Sequence, residues 1–134
     1  MSKTIVTCDS TIAISPEKAK EYGLKVLPLN VIVDNVEYHD GVNINYEKLA
    51  SMMRDNGVIK TSTPTPYEIE SFFDKIFAEG YEKIVHFTIS SKLSSMFDLF
   101  TNITSKPINI ILDTNIFYSW VKNFYQLKNV KYFT

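Results

Sequence analysis

Short apolar runs alternate along this chain with apolar positions at helical spacing, and the hydroxyl groups collect where one pattern gives way to the other. Residues 5–8 form a brief apolar run, expected as a strand, that stops at the polar turn Asp9-Ser10-Thr11. Ser15 followed by Pro16 supplies a cap and a first helical residue, and Gly23 after Tyr22 supplies the stop, which predicts a helix between them. Residues 24–33 are apolar but broken by Pro28. That break predicts a strand entering near Val26 and a second extended piece over 29–33 at a sheet edge, where a missing backbone N–H is tolerated. Asp34-Asn35 fits a two-residue hairpin turn into Val36-Glu37-Tyr38, with Gly41 closing the hairpin. Asn45 then caps a helix through Leu49, Met52 and Met53 that ends at Asn56-Gly57.

The most regular periodicity follows Pro66. Ile69, Phe72, Phe73, Ile76 and Phe77 recur at helical spacing as far as Gly80, and Thr65, Pro66 and Glu68 make up a capping box at the start. Just upstream, Lys60-Thr61-Ser62-Thr63-Pro64 reads as a stiff, hydroxyl-rich loop, because Pro64 and Pro66 fix their own φ and push the residues before them toward extended geometry. Residues 84–89 predict a strand running into Ser90-Ser91-Lys92-Leu93-Ser94-Ser95. A helix with Met96, Phe97 and Phe100 on its apolar face comes next, and Ser94 is expected inside its first turn, past any cap position. Residues 108–112 read as a strand ending at Asp113-Thr114, residues 116–125 as a helix carrying Trp120, and residues 130–133 as a last short strand. Strands alternating with helices in this way imply a three-layer α/β fold with a mainly parallel sheet and helices on both faces. Ligands of such sheets sit beyond the carboxyl ends of the strands. That rim is where the turns at Asp9, Ser90 and Asp113 fall, and where the Thr61 loop is expected to join them.

Composition narrows the partners. At 134 residues the chain is expected to form a single α/β domain, 1–134, with enough core to fold without disulfides or metals. A net charge of −1 with lysines scattered among Asp and Glu leaves no basic face, so nucleic acid and anionic membrane are poor partners. Cys8 is the one cysteine, which excludes an intrachain disulfide and a cysteine zinc site and fits a reducing, cytoplasmic setting. The apolar run over 5–8 is too short for a signal-peptide core, and no stretch has the length of a membrane span.

The four glycines lie too far apart for a dinucleotide fingerprint or a phosphate-binding loop, and no serine has the flanking glycines of a hydrolase elbow. His86, mid-strand between Val85 and Phe87, reads as a core histidine, His39 as exposed, and Cys8 as a small buried hydrophobe. Asp9 is open to two readings, a base or the holder of its own turn; Ser90 and Ser91 are equally caps or ligand contacts. No cofactor or metal is expected. Thr61 and Ser62 are neutral donors beside a helix N-terminus, where an anion is favoured, and Ser94 adds a third hydroxyl. A sheltered charge-assisted bond contributes about 1.5–3 kcal/mol, so two or three such bonds orient a carboxylate without any chemistry.

Five motifs in order carry a resemblance: Cys8-Asp9-Ser10-Thr11, Leu27-Pro28-Leu29-Asn30-Val31, Tyr38-His39-Asp40-Gly41, Lys60-Thr61-Ser62-Thr63-Pro64 and Ile89-Ser90-Ser91-Lys92-Leu93-Ser94-Ser95. Over roughly residues 4–95 the chain resembles the DegV family of bacterial fatty-acid-binding proteins. The resemblance implies that Thr61 and Ser94 hold the carboxylate of a long-chain fatty acid with Ser62 close by, backed by Asp9, Ser10, Ser90 and Ser91. It implies a carrier and not an enzyme: the acid is presented to a separate fatty acid kinase. Two residues depart from the family pattern, Cys8 where Thr is usual and Ser95 where Gly is usual. Family members also carry a second domain, so the chain is expected to represent the first domain alone, with fatty-acid binding impaired. Its apolar residues beyond Asn115 are expected to promote a homo-oligomer. Two other readings stay open: an enzyme acting on a phosphorylated or carboxylated metabolite through Asp9, Asp113 or His86, and a remnant interaction domain without a ligand.

Overall fold

Alternation along β1 (Thr4–Asp9) turns Ile5, Thr7 and Asp9 into one buried face, while Val6 on the other face keeps 40% of its surface exposed. The computed structural model describes residues 3–103 and 109–113. The helix and strand expected over 116–125 and 130–133 lie outside the described residues. β1 pairs in parallel with β2 (Lys25–Leu27) on one side and β6 (Lys83–Thr88) on the other, and β6 pairs in parallel with β7 (Asn109–Asp113). The four-stranded order is β2-β1-β6-β7.

α1 (Pro16–Glu21) is set by the Ser15 cap and Pro16, as its sequence requires, and packs beside β2. α3 (Pro66–Ala78) buries Ile69, Phe73 and Ile76, and α4 (Met96–Ile103) buries Met96 and Phe100. Together with Ile5, Leu27 and Ile84 of the sheet these residues form the main core. Each large side chain removed from water there contributes roughly 1.5–3 kcal/mol. The mixed α/β architecture and the parallel sheet are as the alternation of patterns predicts.

A second sheet was not legible in that alternation. β3 (Asn30–Val33), β4 (Val36–His39) and β5 (Ile59–Ser62) form an antiparallel sheet ordered β4-β3-β5. Its own small core is Val31, Val33 and Ile44, backed by Leu49 and Met52 of α2 (Tyr46–Arg54). Two expectations need correcting. The piece after Pro28 is the middle strand of this sheet, not an edge: Pro28 sits outside the paired residues, so β3 keeps every N–H its two neighbours need. Thr61 and Ser62, expected in a loop, are strand residues that pair with Val31 and Asn30. Polar side chains conceal β5 from a hydrophobic pattern, because backbone pairing to β3 holds it. The Asp34-Asn35 turn has positive φ at both positions, 48° and 66°, the geometry of a tight hairpin whose twist matches its strands.

Candidate functional site

In the order β2-β1-β6-β7 the chain leaves β1 toward one edge and β6 toward the other, so these neighbours mark the point where the sheet's winding reverses. Open α/β sheets hold ligands at that point, outside the carboxyl ends of the strands. A cleft of about 660 Å³ lies there. One lip is Cys8, Asp9, Thr11 and Ile12; the other runs from Phe87 through Ile89 and Ser90 to Lys92 and Leu93. Ile12, Phe87, Ile89 and Leu93 make its walls apolar, and Leu93 holds 77% of its surface in water at the mouth. A leucine so placed gains from covering by an apolar ligand.

Asp9 joins the two lips. Its carboxylate, 1% exposed, accepts from the backbone N–H of Thr11 at 3.0 Å, from the Thr11 hydroxyl, and from the backbone N–H of Ile89 at 2.9 Å. Ser10 extends the clasp to the other sheet, because its Oγ accepts from the N–H of Leu29 at 3.0 Å, between β2 and β3. Of the two roles open to Asp9, holding the turn is the one these contacts perform. Beyond Ile89, the Ser90 carbonyl receives the N–H groups of Leu93 and Ser94, at 2.9 and 3.1 Å, and the Ser90 hydroxyl accepts from Lys92 N at 3.2 Å. Ser91 is exposed on the same turn. Ser94 does not lie inside the first turn of α4 as expected. The helix begins two residues later, and Ser94 Oγ accepts from the N–H of Met96 at 3.3 Å, so the hydroxyl also caps.

Thr61 and Ser62 are exposed on β5, and among the described residues their hydroxyls have no hydrogen-bond partner. Neither they nor Ser94 line the cleft. Of the hydroxyls singled out by sequence, Thr61 and Ser62 therefore stand on the antiparallel sheet and Ser94 in the turn between β6 and α4. Thr65 is occupied as expected: it accepts from Glu68 N at 3.2 Å while Glu68 reaches back to Thr65 N at 2.7 Å. That backbone bond is the main reason the Glu68 carboxyl sits below its ordinary range.

Neither Cys8 nor His86 is in its charged form at neutral pH. Burial, with the Asp9 charge second, pushes the Cys8 thiol up, so it stays protonated. His86 is completely buried on the core face of β6, away from the cleft lining, and burial lowers its imidazole to about 3. Among the described residues no group of three His, Cys, Asp or Glu could hold a metal ion, and no helix is long and apolar enough to cross a membrane. Sequence reasoning passed over the cleft's apolar lip, Ile12 and Leu93, because single exposed apolar residues in turns carry no periodic signal. It also passed over Asn30, a polar residue in an apolar run that is 3% exposed.

A family model described as an uncharacterised protein of the DegV family matches residues 3–119. A DegV domain-containing protein of Clostridium acetobutylicum is 35% identical over 98 residues, which cover 73% of this chain and 35% of that protein. One from Clostridium perfringens is 36% identical over 102 residues, covering 73% and 34%. This chain thus spans about a third of the length of the curated relatives it matches. Among solved structures it is similar to DegV, a fatty acid binding protein from Bacillus subtilis, with TM-score 0.75, 19% identity, and coverage of 92% of this chain and 49% of that one. It is also similar to a stearic acid-binding protein from Eubacterium ventriosum, with TM-score 0.73, 21% identity and coverage of 98% and 50%. The five motifs, the parallel sheet and a family match that runs through every strand and helix described here lead to one conclusion: the chain belongs to the DegV family.

Proposed function

We propose that this chain binds a long-chain fatty acid, with the acyl chain in the cleft between β1 and β6 and the carboxylate held by the hydroxyls of Thr61, Ser62 and Ser94. Asp9, Ser10, Ser90 and Ser91 support that grip by fixing the turns behind it. The observation that carries the reading is the cleft itself: apolar walls at the winding reversal of the sheet, with Lys92 on the lip and Ser94 one residue beyond Leu93. Its size falls in the range of small-molecule sites, about 300–1,000 Å³. Fatty acids are what the solved structures of the Bacillus subtilis and Eubacterium ventriosum proteins are described as binding. Binding without catalysis is favoured because Asp9 is committed to three donors, His86 is buried and neutral, and Cys8 is a thiol. In this reading the chain is a carrier that hands the acid to a separate fatty acid kinase.

A cleft open to water holds an acyl chain less tightly than an enclosed one, since each methylene left in water forfeits about 0.8 kcal/mol. Titration of the purified chain with palmitate, followed by calorimetry and native mass spectrometry, tests the reading. The expected result is weak 1:1 binding that is reduced by Ser94→Ala and by Thr61→Ala. No binding at millimolar acid, or binding indifferent to both substitutions, sinks it.

A further inference from the structure

The hydroxyls proposed to share one carboxylate stand on different elements, Thr61 and Ser62 on β5 and Ser94 in the turn before α4, so their spacing depends on what joins the antiparallel sheet to the helices. Ser94 lies at the start of α4, and α4 packs against α3. α3 is thus a common reference for both halves, and one side chain of the antiparallel sheet reaches its N-terminus. Asn30 opens β3, nearly buried, with its backbone paired to His39 on one side and to Ser62 on the other. Its Nδ2 donates to Glu68 Oε2 at 3.5 Å, a long bond, and its Oδ1 lies 2.9 Å from His39 Nδ1. With the amide oxygen accepting, Nδ1 is the ring nitrogen of His39 that carries the proton.

Glu68 Oε2 is the same oxygen that receives the backbone N–H and the hydroxyl of Thr65, at 2.7 and 3.0 Å. Asn30 therefore anchors the 62–65 connection at both ends, Ser62 by strand pairing and Thr65 through Glu68. Pro64, between them, is fully buried. A capping box satisfies its own two donors without outside help, so the helix does not require this amide. Burying one costs free energy unless its partners are in place, and an apolar residue would serve β3 equally well. What Asn30 adds is a fixed junction between the sheet and the helix.

We propose that Asn30 is a positioning residue that sets the spacing between Thr61-Ser62 and Ser94 by locking the start of β3 to the N-terminus of α3. Its bearing on ligand binding rests on the reading of those hydroxyls as a carboxylate site; its bearing on the spacing does not. Asn30 acts through Ser62 and Glu68 and touches no ligand.

Two measurements test this on the full chain. Spin labels at Lys60→Cys and Asp98→Cys, both exposed positions, in a Cys8→Ala background report the distance between β5 and α4 by electron paramagnetic resonance. Asn30→Ala should broaden a single narrow distribution. Asn30→Asp should broaden it at neutral pH, where a carboxylate faces Glu68, and narrow it again in acid as that carboxyl gains a proton and can donate. An unchanged distribution in both variants overturns the proposal whatever the chain binds. The second measurement compares palmitate with hexadecanol. Asn30→Ala should weaken the acid about tenfold, spare the alcohol, and add nothing in a Ser94→Ala background, since residues acting as one unit are non-additive. Equal losses for acid and alcohol would make Asn30 a plain stability residue and overturn the proposal. A broadened distribution in a chain that binds neither probe supports the spacing role and removes the carboxylate reading instead.

Discussion

Thr7 Oγ1 lies 2.7 Å from His86 Nδ1, and the two residues are register partners across the β1–β6 pair with no exposed surface. The imidazole stacks on Phe100 with ring centroids 4.2 Å apart and meets the Phe73 ring edge-on, so its Nε2 faces apolar side chains and has no partner among the described residues. A charged ring has nothing there to replace the water it would lose.

Stability should therefore fall in acid through this one residue. The folded pKa is about 3 against an ordinary value of 6.5. Above 6.5 the ring is neutral whether folded or unfolded and contributes no pH dependence. Below it the unfolded chain takes up a proton that the folded chain refuses, so stability declines as pH drops toward 3. At about 1.4 kcal/mol per unit, the loss between pH 6.5 and 4.5 is roughly 2–3 kcal/mol. Urea denaturation at both pH values checks it: His86→Leu should be flatter over that interval than the parent chain. Parallel slopes for the two proteins would show that another group controls the acid limb.

Asp9→Asn should loosen the cleft and leave the strands intact. The substitution keeps one acceptor oxygen and replaces the other with an NH₂, so either Thr11 or Ile89 loses its partner. Leaving one buried donor unsatisfied costs about 1–3 kcal/mol. Hydrogen exchange should locate the effect: faster exchange at Ile89 and in the Ser90 turn, with little change at Ile84 or Val85 in the middle of β6. Uniform acceleration along β6 would contradict a clasp confined to the rim.

The start of α3 offers a smaller, cleaner measurement. Thr65→Ala removes the acceptor for Glu68 N and should cost about 1 kcal/mol, as N-cap losses do. The Glu68 carboxyl is held below its ordinary value mainly by the Thr65 backbone N–H, so the bond supports folding above the unfolded carboxyl's pKa and is lost as pH falls through the folded one. A thermal melt of Thr65→Ala at pH 7 that matches the parent would show that this capping bond contributes nothing.

What sequence makes legible here is whatever is settled within a few residues. Ser15, Asn45 and Thr65 act through side-chain bonds to the backbone three positions on, and all three cap as their neighbours require. β5 is different. Ile59 to Ser62 has no local preference strong enough to declare a strand and becomes one because Val31 and its neighbours, far away in the chain, present free backbone groups. Ser94 shows the same limit at finer scale. Whether it lies inside α4 or before it turns on the Ser90 carbonyl capturing Ser94 N, a contact with no compositional signature. The hydroxyls could be picked out as residue types, but that Thr61 and Ser62 stand on β5 while Ser94 precedes α4 was not legible.

Association is the remaining expectation, and the described residues supply a surface for it apart from the tail that first suggested it. The hairpin end of the antiparallel sheet exposes Val36 and Val58, at 52% and 63%, and Met53 of the adjoining α2 at 60%. Asp34 ties Val58 to the turn that leads into Val36: its N–H donates to the Val58 carbonyl and its carboxylate accepts from Val58 N at 2.8 Å. The outer strands of that sheet carry exposed charges, Glu37 on β4 and Lys60 on β5, which oppose edge-to-edge pairing. Contact should then form through the apolar tip and not through added strands. Sedimentation equilibrium at micromolar concentration is expected to show a homodimer, and the paired substitutions Val36→Lys and Val58→Lys should return it to monomer without lowering its melting temperature. A dimer that survives both substitutions places the contact elsewhere on the chain. A parent chain that sediments as a clean monomer, free of dye-binding surface, removes the expectation altogether.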